Sequence, residues 1–269
     1  MKKSFREEIK IFLDEALLIS NQPEFIKNDP ISIPHRFTLK QDIEIAGFFA
    51  AVFAWGNRTT IINKCNELMD LMGTSPYKFI IDHEEQELKK FLNFKHRTFN
   101  ATDLLHFIRL LKYHYTVGYK QLGGKSPSLE SAFTYNMKNH DTDTGQALRG
   151  FHDYFFSLDD SPSRTKKHIP TPNNNSSCKR LNMYLRWMVR QDSHGVDFGI
   201  WKAIRPDQLV CPLDVHVQRT AKRLKIIKSE KADWKTAVDL TNNLKMFDAA
   251  DPVKYDIALF SLGVEKKIL

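Results

Sequence analysis

The chain has 269 residues, of which 42% are apolar, 12% aromatic and 27% charged, a globular composition that excludes a disordered, collagenous or low-complexity protein. No run of about 18 apolar residues occurs, so no membrane-spanning helix is expected, and Met1 to Glu8 has no apolar stretch after its charges, so no secretion signal is expected. Lysine and arginine number 40 against 32 aspartates and glutamates, a net charge of +8 that leaves room for a polyanionic partner without requiring one.

Cys65, Cys178 and Cys211 are odd in number, far apart and form no C-x-x-C. That pattern argues against a disulfide scaffold, a zinc ribbon or an iron–sulfur cluster on cysteines, and it fits a reducing cytoplasm.

The apolar spacing is helical almost throughout. Phe5, Ile9, Phe12, Leu13, Ala16 and Leu17 recur at helical intervals and predict an opening helix. Asp29-Pro30 and Ile33-Pro34 predict an extended loop. Lys40 to Trp55 reads as a strongly apolar helix stopped by Gly56, and Phe48, Phe49 and Phe53 read as core. A second helix is predicted from about Thr59 to Met72, and Ser75-Pro76 opens a short third one. Thr102 to Lys120 reads as one long amphipathic helix, followed by helices near 127–138 and 144–157. Asp159 to Ser177 is loop chemistry, rich in Asp, Ser, Pro and Asn. Helices follow at 179–190, 212–224, 232–246 and 251–262. No alternating β-branched run and no repeat is visible. The predicted class is all-α.

Two stretches carry a resemblance. Asp42 to Lys64, with Trp55-Gly56-Asn57-Arg58 at its centre, resembles the core helix, wedge loop and following helix of the helix-hairpin-helix DNA glycosylases. Cys178-Lys179-Arg180-Leu181-Asn182-Met183-Tyr184-Leu185-Arg186 resembles the lysine-bearing helix of the archaeal 8-oxoguanine glycosylases, and Pro212-Leu213-Asp214-Val215-His216 resembles the segment that holds the superfamily's catalytic aspartate. Nearly the whole chain also resembles a bacterial family of unknown function, through Asp29 to Arg36, Phe94 to Phe99, Cys178 to Arg190 and Asp251 to Asp256.

Two departures stand out. The glycosylases place a Gly-x-Gly hairpin before the lysine; Asn173-Asn174-Asn175-Ser176-Ser177 stands there in this chain. Asparagine tolerates left-handed backbone angles and can supply a substitute turn. Lys179 and Asp214 are also far apart, 35 residues, and the insertion from Gly195 to Trp201 is expected to form a loop and short helix over the site.

The glycosylase resemblance implies an all-α fold of two helical lobes around a cleft, built from the whole chain. The N- and C-terminal helices are expected to share one lobe, and the middle of the chain and the lysine–aspartate segment the other. The segments are 1–38 (opening helix and loop), 39–158 (helical lobe), 159–177 (loop), 178–225 (lysine and aspartate) and 226–269 (closing helices). The implied activity is excision of a damaged base from DNA, with a Schiff-base lyase step through Lys179. A nucleic-acid-binding module without catalysis, and small-molecule chemistry in the same cleft, are the alternatives.

The chemistry expected of each residue follows. An unprotonated Lys179 amine can attack a sugar C1′, helped by the nearby charges of Arg180 and Arg186. Asp214 can take its proton or stabilise positive charge at the sugar, although an aspartate at a helix start is also a natural cap. Asn57 and Arg58 can fill the gap left by an extruded base, and Trp55 and Trp201, next to glycine-bearing turns, are the candidate pocket aromatics. Arg164, Lys166, Lys167, Arg186, Arg219, Lys222 and Arg223 are candidate phosphate contacts, against the usual reading of charge runs as solvated faces. No His-x-x-His or His-Glu-x-x-His spacing exists, so no metal and no cofactor is expected. A site assembled from distant residues such as His35, Asp42, Glu44 and His216 is the one metal alternative. DNA is the expected partner, and the chain is expected to act as a monomer.

Overall fold

A computed structural model describes residues 3–264, with the side chain of Lys3 left out. The first two residues of the reading at Met1 to Glu8, and residues 265–269 of the expected closing segment, lie outside the described residues.

In chain order the helices are α1 (Lys3–Ser20), α2 (Pro23–Lys27), α3 (Lys40–Phe53), α4 (Arg58–Met72), α5 (Pro76–Asp82), α6 (Ala101–Tyr113), α7 (Tyr119–Gln121), α8 (Glu130–Thr134), α9 (Gly145–Phe155), α10 (Lys179–Val189), α11 (Val215–Arg223), α12 (Trp234–Lys245) and α13 (Tyr255–Val264). Helix accounts for 63% of the structure and strand for 2%, which makes the class all-α. The strand is a two-residue hairpin, β1 (Lys95–His96) against β2 (Phe99–Asn100), antiparallel with His96 opposite Phe99.

Local chemistry sets most helix starts. Asn57 caps α4 by accepting from Thr60 N, Ser75 caps α5 from Lys78 N with Pro76 in the first turn, and Asn100 and Asp103 cap α6 reciprocally. Two expectations change. The predicted extended loop at 29–36 is two short 3-10 turns, Pro30–Ser32 and Pro34–Arg36, the first held by the Asp29 carboxylate on Ile31 N. The single helix expected over 102–120 is interrupted by a π turn, His114–Gly118. There the buried His114 ring bonds Ser128 O and the Tyr154 hydroxyl, and these tertiary bonds override the local helical register.

The chain forms two compact units: Asn28–Lys138 with Gln146–Pro170, and Met1–Lys27 with Asn139–Gly145 and Thr171–Leu269. They are called the middle and the terminal unit. The lysine–aspartate segment therefore belongs with the N- and C-terminal helices, not with the middle of the chain as expected. The cause is polar: α10 and the C-cap that follows it carry two buried arginines, Arg186 and Arg190, whose carboxylate partners come from that same unit.

The core of the middle unit is phenylalanine. Phe48, Phe49 and Phe53 of α3 are fully buried as expected, and Phe48 stacks on Phe107 of α6 while Phe133 stacks on Phe151 of α9. Each such ring removed from water contributes about 2–3 kcal/mol. The terminal unit packs α1, α11, α12 and α13 around Leu13, Val217, Leu240, Leu244 and Leu259.

Arg164 shows how a loop cation can become structural. Its guanidinium donates to Asp103 at 2.5 Å, to Asn100 Oδ1, and to Thr98 O at 3.0 Å, so it ties the hairpin to the first turn of α6. Asp103 is fully buried, and Thr165 Oγ1 donates to it at 2.7 Å. Arg164→Ala removes all three bonds and strips a buried carboxylate of its cation. The expected loss is about 1–3 kcal/mol, below that of a fully buried pair because Arg164 is partly in water. Thermal unfolding should show a melting temperature several degrees lower. An unchanged melting temperature would mean that the hairpin is held without this arginine.

A candidate lysine–aspartate site

Lys179 is the first residue of α10 and Asp214 is the N-cap of α11. Their side chains meet: Lys179 Nζ lies 3.8 Å from Asp214 Oδ2, and the two are 25% and 21% exposed, enough for a reagent to reach them. The two carboxylate oxygens divide the work. Oδ1 accepts from His216 N at 2.9 Å and Val217 N at 3.0 Å, which fixes the carboxylate on the helix end. Oδ2 is left pointing at the amine. The cap and the lysine partner are thus one residue with two roles.

Backbone turns bring the pair together. Asn175 and Cys178 both take left-handed conformations, at φ 54° and 51°. Asn175 ends the 3-10 turn Pro172–Asn174, and its side chain bonds Asp233, the N-cap of α12. The left-handed corners before the lysine are therefore made by an asparagine and by the cysteine that directly precedes Lys179. Ser177 Oγ then donates to Leu213 O at 3.1 Å, and Asn182 Nδ2 donates to Ser177 O at 3.0 Å. The residues just before Lys179 and Asp214 are bonded to each other directly.

Behind the pair lies a buried ion-pair chain that the sequence did not reveal. Arg186 donates to Asp256 at 2.5 Å and to Asp197 at 3.3 Å. Arg190, one turn on, donates to Asp197 at 3.0 Å and to Asp251 at 2.8 Å. Burial drives the Asp256 carboxyl up to about 6 against the pull of Arg186; the charge of Asp214 adds to the rise and that of Lys179 opposes it. Burial likewise pushes Cys211 up, with Asp256 adding to it; its Sγ lies 3.9 Å from Asp256 Oδ1. Burial lowers the Arg180 guanidinium to about 10.

Other expectations change at this level. Arg186 is 4% exposed and neutralised by two carboxylates, so it offers no charge to a phosphate. Trp201 is 1% exposed, edge-on to Tyr184, with its amide on Met188 O; it belongs to the core beneath α10. The insertion around it is a loop, with Phe198 N on Trp187 O. Asn57 is engaged as a cap, and Arg164 is bound to Asp103. Lys222 pairs with Glu230 at 2.6 Å. Lys166, Lys167, Arg219 and Arg223 are exposed; Trp55 and Arg58 are half-buried. Asp42 and Glu44 are saturated by other partners: Ser75 and Tyr77 N on the first, Tyr115, Ser128 and Leu129 N on the second. Among the described residues no group of three or more His, Cys, Asp or Glu could hold a metal ion, and no helix is long and apolar enough to cross a membrane.

Residues 29–265 match the model of one protein family, described as a protein of unknown function, DUF2400. The chain belongs to that family. Comparison with curated proteins and with solved structures gave no match. In this DUF2400 protein the matched region takes in the lysine–aspartate pair and the whole ion-pair chain behind it.

The buried carboxyl of Asp256 makes a pH prediction. Its folded value, about 6, exceeds its ordinary 3.8. Between those values the folded chain holds a proton that the unfolded chain has released. The associated stability is complete below about pH 4 and is lost as pH rises through 6. Asp256→Asn removes the titration. The melting temperature of the variant relative to wild type should climb from pH 4 to 6 and level off above, a span on the order of 2 kcal/mol. A difference that stays flat with pH would contradict the assignment.

Proposed function

We propose that this chain excises a damaged base from DNA and forms a Schiff base through Lys179. The observation that carries the reading is the 3.8 Å approach of Lys179 Nζ to a carboxylate that its own helix end holds in place. The resemblance of Cys178 to Arg186 and Pro212 to His216 to the glycosylase lysine and aspartate segments supports it. The departure that favours a module without catalysis, the missing Gly-x-Gly, is answered in part by the left-handed Asn175.

In the proposed step the neutral Lys179 amine attacks C1′ of an extruded nucleotide. The new N–C1′ bond forms as the bond from C1′ to the base breaks, and the base leaves with the electron pair and takes up a proton. Asp214 accepts the proton that the amine sheds. The C1′–O4′ bond then breaks, O4′ takes up the proton held by Asp214, and the nitrogen lone pair completes the iminium; removal of a C2′ proton by the regenerated Asp214 carboxylate lets the 3′ phosphate leave with the C3′–O electron pair. Lys166, Lys167, Arg219 and Arg223 are exposed and carry the charge that a phosphate backbone would meet.

Borohydride reduces such an iminium to a stable amine and fixes the protein to the oligonucleotide. Wild type should be trapped on an oligonucleotide carrying its lesion, and a panel of lesions finds it. Lys179→Gln should lose every trapped adduct. Asp214→Asn should slow excision by about two to four orders of magnitude with little change in stability, because asparagine caps a helix start about as well as aspartate. Trapping that persists in Lys179→Gln would move the nucleophile to another amine. No trapping and no base release by wild type on any lesion would leave the binding module as the better reading.

A further inference from the structure

The turn of the β1–β2 hairpin presents an arginine that the lysine–aspartate chemistry does not use. Arg97 sits at φ 55°, a left-handed conformation that disfavours a residue with a Cβ and persists only where its surroundings enforce it. Both neighbours are anchored. His96 Nε2 donates to Phe53 O at 3.1 Å, and Thr98 O accepts from Arg164 at 3.0 Å. The Arg97 side chain then runs back over the Trp55-Gly56 turn. Its guanidinium carbon lies 4.6 Å from the centre of the Trp55 ring. Gly56, at φ 110°, is crossed so closely that a Cβ there would stand 2.5 Å from Arg97 Nη1. The fold thus holds one guanidinium over one indole.

This cation differs from Arg164, Arg186 and Arg190. Each of those is neutralised by aspartate. Among the described residues Arg97 has no carboxylate partner, and it is exposed. Lys95, two residues earlier on β1, is exposed as well. A guanidinium stacked on an aromatic is weakly hydrated on its open face, and that face accepts a second planar ring. A bare phosphate would use only its N–H edges. A nucleotide uses both: the base on the plane and the phosphate on the neighbouring ammonium.

We propose that Trp55 and Arg97 form a stacking platform for an unpaired nucleobase, with Lys95 taking the adjoining phosphate. The platform lies on the middle unit, apart in the chain from Lys179 and Asp214. It rests on the reading that this chain handles nucleic acid, and it assigns to Arg97 a contact that the sequence had given to Asn57, whose side chain is occupied as a helix cap.

The test is binding of a fluorescein-labelled single strand, and of a duplex with one unpaired base, read by anisotropy over a range of salt. Arg97→Asn keeps a residue that tolerates the left-handed turn and removes the plane. Arg97→Lys keeps the charge and removes the plane. Arg97→Asn should weaken binding about tenfold or more, in the range of one lost stacking contact, and reduce the quenching of Trp55 fluorescence. Arg97→Lys should recover the salt dependence but not the affinity. Melting temperatures of both variants show that each is folded, and Trp55→Leu removes the platform from its other side if either is not. Wild-type affinity in Arg97→Asn, or full recovery by Arg97→Lys, would overturn the platform. If adducts form at Lys179 and Arg97→Asn binds normally, the platform alone fails. If binding depends on Arg97 and no adduct ever forms, the excision reading alone fails. No binding of wild type to either oligonucleotide overturns both.

Discussion

Helix α10 and its C-cap Arg190 carry two guanidinium groups into the interior of the terminal unit, and the surrounding chain is arranged to neutralise them. Arg186 and Arg190 are four residues apart, on one face, with side chains 5% and 3% exposed. A buried cation without a partner costs several kcal/mol. Carboxylates therefore converge from separate stretches: Asp192 and Asp197 from the loop after α10, Asp251 from the 3-10 turn before α13, and Asp256 from the first turn of α13. The arrangement ties α13 to α10. Helix α11 packs on α13, closely enough that a Cβ at Gly263 would stand 2.9 Å from His216 O. Lys179 begins α10 and Asp214 begins α11, so the ion pairs that hold the helices also bring the amine to its carboxylate.

Four carboxylates around two guanidiniums leave an excess of negative charge. One of the two buried ones, Asp256, answers by holding its proton more tightly, as burial and the nearby Asp214 both require. The same reasoning sorts the cations by what they can do. Arg186, Arg190 and Arg164 are committed to aspartates and serve the fold. Arg97, held over Trp55 and with no carboxylate partner among the described residues, is the cation proposed to meet a ligand.

What the sequence made legible was local. The helix starts at Ser75-Pro76 and Asp214 and the apolar periodicity place the helices, because capping acts within three residues and a helical face repeats every few, whereas the cap at Asn57 read as a wedge residue. The lysine–aspartate pair was legible only through the resemblance, since 35 residues separate its members. Interactions at long range were not legible. Nothing at Arg186 announces a carboxylate 70 residues away at Asp256, so a buried ion pair read as a phosphate contact. Trp201 lies beside Gly199 and read as a pocket residue, but its backbone bond to Met188 folds the ring into the core. The π turn at 114–118 depends on Ser128 and Tyr154, which no periodicity within 102–120 contains. The strings Cys178 to Arg190 and Asp251 to Asp256 did stand out in the sequence, and the structure gives the reason: they are the two sides of one ion-pair chain.

The proposed Schiff-base chemistry requires that Lys179 be the amine that reaches C1′. Mass spectrometry of a borohydride-reduced adduct, after proteolysis and nuclease digestion, reads it directly. The account predicts a sugar remnant on the peptide containing Lys179, at that lysine and at no other in the chain. A remnant on a different lysine or on the N-terminal amine would contradict it.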